Sequence, residues 1–151
     1  MREIEFRGKR TCDNEWTYGW FIGIYQTEDG DVGCIRDYTG KDNLVKLKTV
    51  GQYTGLKDKN GKKIFEGDIL KAVTIDEGKT RYGIVKFGKY KDINFEDSCC
   101  GFYVESKGIQ CSIFNGEADG YCLLDVVEVA GNIYDNPELL EEQNESNRWI
   151  G

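Results

Sequence analysis

Hydrophobic and polar positions alternate with a period of two along most of this chain, the spacing of strands that bury one face. Ile4 and Phe6 alternate with charged neighbours. From Trp16 onward, Trp16, Tyr18, Trp20, Ile22 and Ile24 fall on one face of a strand. Thr17, Gly19, Phe21, Gly23 and Tyr25 fall on the other, where the glycines leave room for a close neighbour. Glu28-Asp29-Gly30-Asp31 reads as a hairpin turn, because Asp-Gly tolerates positive φ. Val32–Tyr38 then returns as the partner strand, and Leu44–Val50 is a third. Residues 1–50 therefore read as an N-terminal strand arm.

Asn60-Gly61 predicts a two-residue hairpin, followed by Glu66-Gly67-Asp68 as a second tight turn. Ile69–Ile75 is a β-branched run that suits a buried strand. A turn at Asp76-Glu77-Gly78-Lys79 leads to a return strand, Arg81–Gly88, with Gly83 and Gly88 as bend positions. A strand, a short turn and a bent second strand are what a small SH3-like barrel uses at its corners. Phe102–Glu105 and Tyr121–Leu124 are further strands, and Val126, Val127 and Val129 lead into a closing one through Gly131-Asn132-Ile133. Only the C-terminal end reads as helix. Asn136 is an N-cap residue, Pro137 suits the first turn, and Glu138, Glu141 and Glu142 favour its positive end. Asn144–Arg148 is a polar tail. The expected fold is mainly β: a small SH3-like barrel over residues 51–135, the strand arm before it, and a short helix with tail over 136–151. Residues 1–135 form a single domain in this reading.

Length and composition narrow the classes. A chain of 151 residues with 39% hydrophobic and 13% aromatic residues can fill one core. No apolar run approaches the roughly 20 residues of a membrane span. The opening Met1–Arg7 carries both charge signs and lacks the apolar stretch of a signal peptide, so a cytoplasmic location is expected. In that reducing compartment the six cysteines, Cys12, Cys34, Cys99, Cys100, Cys111 and Cys122, read as free thiols acting as small hydrophobes. They contain no C-x-x-C pair and there is no histidine, so no metal site and no metal cofactor is expected.

Three segments resemble the YopX family of phage and prophage proteins. They are the opening Met1–Arg7 with Trp16-Thr17-Tyr18-Gly19, the central Gln52–Ile69, and the closing Val129–Leu140. The stretch from about Asp92 to Gly120 is less typical of it. The resemblance implies a mainly β protein encoded by a phage or prophage and acting inside a bacterial host. It brings no catalytic residues with it.

Candidate chemistry is sparse. Without histidine there is no Ser-His-Asp or Cys-His arrangement. Glu66 and Asp68 lie two apart and could share a strand face, but flanking Gly67 they read as acceptors for turn N–H groups. Asn60, Gly61, Glu66, Gly67 and Asp68 are therefore taken as a structural turn set. Asp58-Lys59-Asn60-Gly61 has the glycine too early and too few ligands for a calcium loop. No phosphate-cradling glycine loop is present, so no nucleotide cofactor is indicated. Charge is uneven: −3 over residues 1–40, +7 over 41–91 and −11 over 92–151, for a net −7. The basic segment interleaves lysines with Tyr82, Phe87 and Tyr90, so Lys86, Lys89 and Lys91 are candidates for contacting nucleic acid. Trp16, Trp20 and Phe21 supply more apolar surface than a thin hairpin can bury, which makes them candidates for an oligomer interface. The expected function is a non-enzymatic accessory or structural protein acting through homo-oligomerisation or a host or phage protein partner. A nucleic-acid-binding module is the alternative.

Overall fold

The computed structural model describes residues 1–73, 78–93, 95–113 and 126–145. The chain divides into two units, Met1–Gly55 and the part from Leu56 onward. The first unit is an antiparallel sheet in the order β4-β3-β2-β1-β5. Its strands are β1 (Phe6–Lys9), β2 (Trp16–Thr27), β3 (Gly30–Arg36), β4 (Asp42–Lys46) and β5 (Gly51–Lys57), whose last two residues belong to the second unit.

The hairpin of β2 and β3 turns at Glu28-Asp29, with Thr27 opposite Gly30 at φ +115°. The even alternation expected along β2 is broken by a bulge between Phe21 and Gly23. The extra residue re-aims everything after it and bends the strand. Ile24 consequently lies opposite Gly33, and Tyr25 opposite Val32. The sheet curls far enough for β1 to reach its far side: Arg10 bridges Val45, and the Thr11 N–H donates to the Leu44 carbonyl at 3.0 Å. A short 3₁₀ turn, Leu47–Thr49, replaces the end of the strand expected over 44–50. It is tied down by the Lys9 N–H donating to Thr49 Oγ1 at 2.8 Å. Ile35 and Val45 are fully buried, and Phe6 packs on Phe21 with ring centroids 5.8 Å apart. Burying an aliphatic side chain of that size is worth about 1.5–3 kcal/mol.

The second unit holds a five-stranded antiparallel sheet, β10-β9-β8-β7-β11. Its strands are β7 (Asp68–Val73), β8 (Thr80–Lys91), β9 (Ser98–Ser106), β10 (Ile109–Ser112) and β11 (Glu128–Asn132). A short β6 (Lys63–Phe65) precedes them and α1 (Glu138–Glu145) follows. Ile64, Leu70, Val85, Phe102, Val104, Ile113 and Val127 form the core. Among the described residues the sheet does not close into a barrel. Its outer strands are capped locally instead: Ile93 N–H donates to the Gln110 carbonyl on β10, and Lys59 N–H to the Val127 carbonyl just before β11. The mainly β class with one short helix stands, and the closed SH3-like barrel is corrected to two antiparallel sheets. The expected strand Tyr121–Leu124, Thr74 and Ile75, the turn residues Asp76 and Glu77, Cys122 and tail residues Ser146, Asn147 and Arg148 lie outside the described residues.

The hairpin at Asn60-Gly61 also differs from expectation. Gly61 has φ +80° but Asn60 is not left-handed, so this is not the two-residue turn in which both are. The Gly61 N–H donates to the Asp58 carbonyl at 3.0 Å and the Asp58 N–H to the Lys62 carbonyl at 2.8 Å, which gives a three-residue loop ending in a left-handed glycine. The cause is Asp58, whose Oδ1 accepts the N–H groups of Asn60 and Lys62, each at 2.9 Å. No heavy atom lies within 4 Å of a Cβ built on Gly61, so substitution there meets only backbone strain. Gly61→Val should cost about 1–2 kcal/mol, and Gly61→Asn less, because asparagine tolerates the left-handed region. Thermal melts of the two variants check this by their order.

Candidate functional site

The family-like segments Gln52–Ile69 and Val129–Leu140 meet each other inside the second unit. Asp58 Oδ2 accepts the Val129 N–H at 2.9 Å, and the Ile133 N–H donates to the Gly67 carbonyl at 3.0 Å. Gly67 has φ +88°, and its N–H donates to the Val85 carbonyl at 2.8 Å. Asp68 is fully buried and its Oδ2 accepts the Phe65 N–H at 2.8 Å. Glu66 is half-buried. Burial opposes ionisation of Asp58, yet the N–H groups of Val129, Lys62 and Asn60 outweigh it and hold the carboxyl below its ordinary range. These residues build turns. The carboxyl oxygens of Asp58 and Asp68 named here are spent on backbone N–H groups.

The closing segment works the same way. Asn132 Oδ1 accepts the N–H groups of Tyr134 and Asp135 at 3.0 and 2.9 Å. The expected helix cap, Asn136, turns its Oδ1 back to the Asn132 N–H at 3.3 Å. A Cβ on Gly131 would collide with the Asn136 side chain, which accounts for the glycine.

Lys86, Lys89 and Lys91 do not share one surface. The β8–β9 ladder runs without a register shift, so Lys86 lies on the face opposite to Lys89 and Lys91. Lys86 Nζ contacts Glu105 Oε1 at 2.7 Å, and Gln110 Nε2 donates to the other Glu105 oxygen at 2.8 Å. Lys86 first and Gln110 second hold the Glu105 carboxyl below its usual range. Lys89 and Lys91 are exposed beside the exposed Phe87. Lys91 also lines an open depression of about 620 Å³ with Ile93, Phe95, Glu96 and Ile109.

The first unit separates the three aromatic candidates. Trp16 is half-buried, with the Arg7 guanidinium 4.6 Å and the Lys9 ammonium 5.4 Å from its ring centroid. Phe21 packs on Phe6. Trp20 is 50% exposed and meets the 61%-exposed Tyr38 edge to face at 5.2 Å. Tyr18, two residues before Trp20 on β2, is also exposed, and Arg36 lies directly across from Trp20. Arg36 is held by a two-point pair with Asp42, Nε to Oδ1 at 2.6 Å and the terminal nitrogen to Oδ2 at 2.9 Å.

Tyr38 sits on a loop whose shape Asp37 dictates. Asp37 Oδ1 accepts from the Thr39 and Lys41 N–H groups and the Thr39 hydroxyl, and Oδ2 accepts from Asn43 Nδ2 at 3.0 Å. The Thr39 and Asn43 side chains lead in pulling the Asp37 carboxyl down to about 2. The result is an exposed cluster in which Tyr38 meets Trp20, with Tyr18 two residues along β2 and Arg36 across from Trp20. Sequence reasoning named Trp20 but not Tyr38, although Asp37-Tyr38-Thr39-Gly40 carries a turn signature that offers an aromatic side chain.

Cys12, Cys34, Cys99, Cys100 and Cys111 are free thiols, and burial pushes the Cys34 and Cys111 thiols up. The described residues hold no group of three or more acidic or cysteine side chains placed to bind a metal. No helix among them is long and apolar enough to cross a membrane.

Two antiparallel sheets, turn-building carboxylates and an exposed aromatic cluster together describe a mainly β protein. The profile of the YopX protein family matches residues 5–141, and the chain belongs to that family. It is also similar to a solved structure, the crystal structure of protein EF1440 from Enterococcus faecalis. That similarity has 22% sequence identity and a TM-score of 0.46, and covers 93% of this chain and 99% of the other. No curated protein matches.

Proposed function

We propose that this chain is a non-enzymatic accessory or structural protein of a phage or prophage, acting in the host cytoplasm by self-association through the Trp20 face of the first unit. The observation that carries the reading is the exposed cluster of Trp20, Tyr38, Tyr18 and Arg36, with Arg36 held by Asp42. Trp, Tyr and Arg dominate binding hot spots; Trp and Tyr bury much area while losing little rotamer freedom, and Arg36 is already held by Asp42. A second copy suits this face because Met1–Gly55 holds 8 basic and 9 acidic residues, a balance of −1, so two such units repel little. The host-protein partner is the other outcome of the same test. Phe87, Lys89 and Lys91, exposed together on β8, favour a second reading, contact with single-stranded nucleic acid.

Light scattering on the full chain at tens of micromolar should give an oligomer, and Trp20→Glu should shift it to monomer with an unchanged far-UV spectrum. A wild-type chain that stays monomeric at high micromolar concentration rejects self-association. Salt-sensitive binding to single-stranded DNA, lost in Lys89→Glu/Lys91→Glu, would support the second reading.

A further inference from the structure

In the middle of the β8–β9 ribbon two glycines stand directly opposite each other, Gly88 and Gly101. Their φ angles are +147° and +156°, a region that side-chain-bearing residues avoid. No heavy atom lies within 4 Å of a Cβ built on either, so space does not require glycine at these positions; backbone conformation does. Both strands therefore change course at one register. The ribbon's own pairing continues beyond this line, with Lys89 opposite Cys100, Tyr90 opposite Cys99 and Lys91 opposite Ser98.

This outer ribbon is fastened to β10 by a small set of contacts. Asp92 is buried and its Oδ2 accepts the Ser112 N–H at 2.6 Å. Gln110 accepts twice, its carbonyl from the Ile93 N–H and its Oε1 from the Lys91 N–H, both at 3.0 Å. Tyr90 reaches back across the glycine pair to stack on Tyr103, with centroids 4.7 Å and planes 17° apart. The depression of about 620 Å³ lies between the fastened end, including Asp92 and Ile93, and the β9–β10 turn at Gly108 and Ile109.

We propose that the outer β8–β9 ribbon is a hinged flap. Gly88 and Gly101 are the hinge, and Asp92, Gln110 and Ser112 are the latch. It opens as a unit, and its position sets the width of the depression. Opening breaks the latch and the Tyr90–Tyr103 stack while leaving the flap's own ladder and the packed cluster around Ile64, Leu70, Val85 and Phe102 intact, so it is a local rather than a global event.

Amide hydrogen exchange at increasing urea tests this on the wild-type chain. The Lys91, Ile93 and Ser112 amides should share one opening free energy, below that of the slowest β7 amides and with a smaller urea dependence, because only the latch and the Tyr90–Tyr103 stack become exposed. Asp92→Asn should speed these three amides about tenfold or more, the loss expected for a hydrogen bond to a charged acceptor, and leave β7 unchanged. If the three amides follow the full urea dependence of the slowest β7 amides, or exchange with unrelated free energies, there is no flap. The wild-type measurement decides the matter even if the variant fails to fold.

Discussion

Asp58→Ala should lower the stability of the second unit by about 3 kcal/mol or more, since buried N–H groups left without acceptors each cost about 1–3 kcal/mol. Asp58 is buried, and its two oxygens serve Asn60, Lys62 and Val129. The first two bonds shape the loop after β5, and the third holds that loop to β11, 71 residues further on. Losing the carboxylate thus frees a turn and uncovers a sheet edge together. The same group carries a pH dependence. Its folded pKa is lowered, so its contribution is fully present above the unfolded aspartate value of about 3.9 and is lost as pH falls through the folded value. Urea unfolding at pH 7 and at successively lower pH should show the wild-type midpoint falling in the acid range. Asp58→Asn should be less stable at pH 7 and should lose less on acidification. Equal acid sensitivity in the two proteins would remove Asp58 from the account.

Strands were legible here because a period of two is written in the side chains from Trp16 to Trp20 and a β-branched run marks the stretch that begins at Ile69. The bulge in β2 was not, since Gly23 and the residues around it fit an unbroken strand equally well until the partner register is known. At Asn60-Gly61 the dipeptide signalled a turn, but its type was decided by Asp58, two residues upstream. The likeness of Asp58–Gly61 to a calcium loop came from the same chemistry, a carboxylate beside a glycine turn, spent on N–H groups instead of a cation. Barrel closure depended on what meets the outer strands, and the capping groups, Ile93 and Lys59, are far in sequence from the strands they cap. The proposed contact face was half visible. Trp20 stood out as a large aromatic residue on a strand, whereas Tyr38 mattered only once the Asp37 loop had placed its ring 5.2 Å from the Trp20 ring. The three lysines were equally conspicuous in sequence, but strand alternation divided them between two faces.

Three glycines of the first unit give a graded test of how that face is held. Gly19 lies opposite Phe6 with φ +156°. A Cβ there would collide with the Arg36 carbonyl oxygen and lie 2.8 Å from the Arg36 carbonyl carbon and 3.0 Å from Asp37 Cα. These are backbone atoms, so no rotamer change relieves the clash, and the backbone angle adds its own strain. Gly19→Ala should therefore cost about 3–5 kcal/mol, combining overpacking with an unfavourable φ. At Gly33 the nearest atoms are side-chain atoms of Val45 and Phe21, at 3.0 and 3.1 Å, which can shift, so Gly33→Ala should cost about 1–2 kcal/mol. Gly23 has open space and no positive φ, and Gly23→Ala should be neutral or stabilise by about 0.5 kcal/mol through the unfolded state. Denaturant midpoints should rank Gly19→Ala lowest, then Gly33→Ala, then Gly23→Ala at or above wild type. The collision at Gly19 falls on Arg36 and Asp37, the residues that set the floor and the loop of the aromatic cluster. Where Gly19→Ala still folds, light scattering should show weakened self-association and near-ultraviolet circular dichroism a changed tryptophan signal, while Gly23→Ala retains both. An unaltered Gly19→Ala would mean that β2 and the Asp37 loop do not approach as closely as the geometry requires.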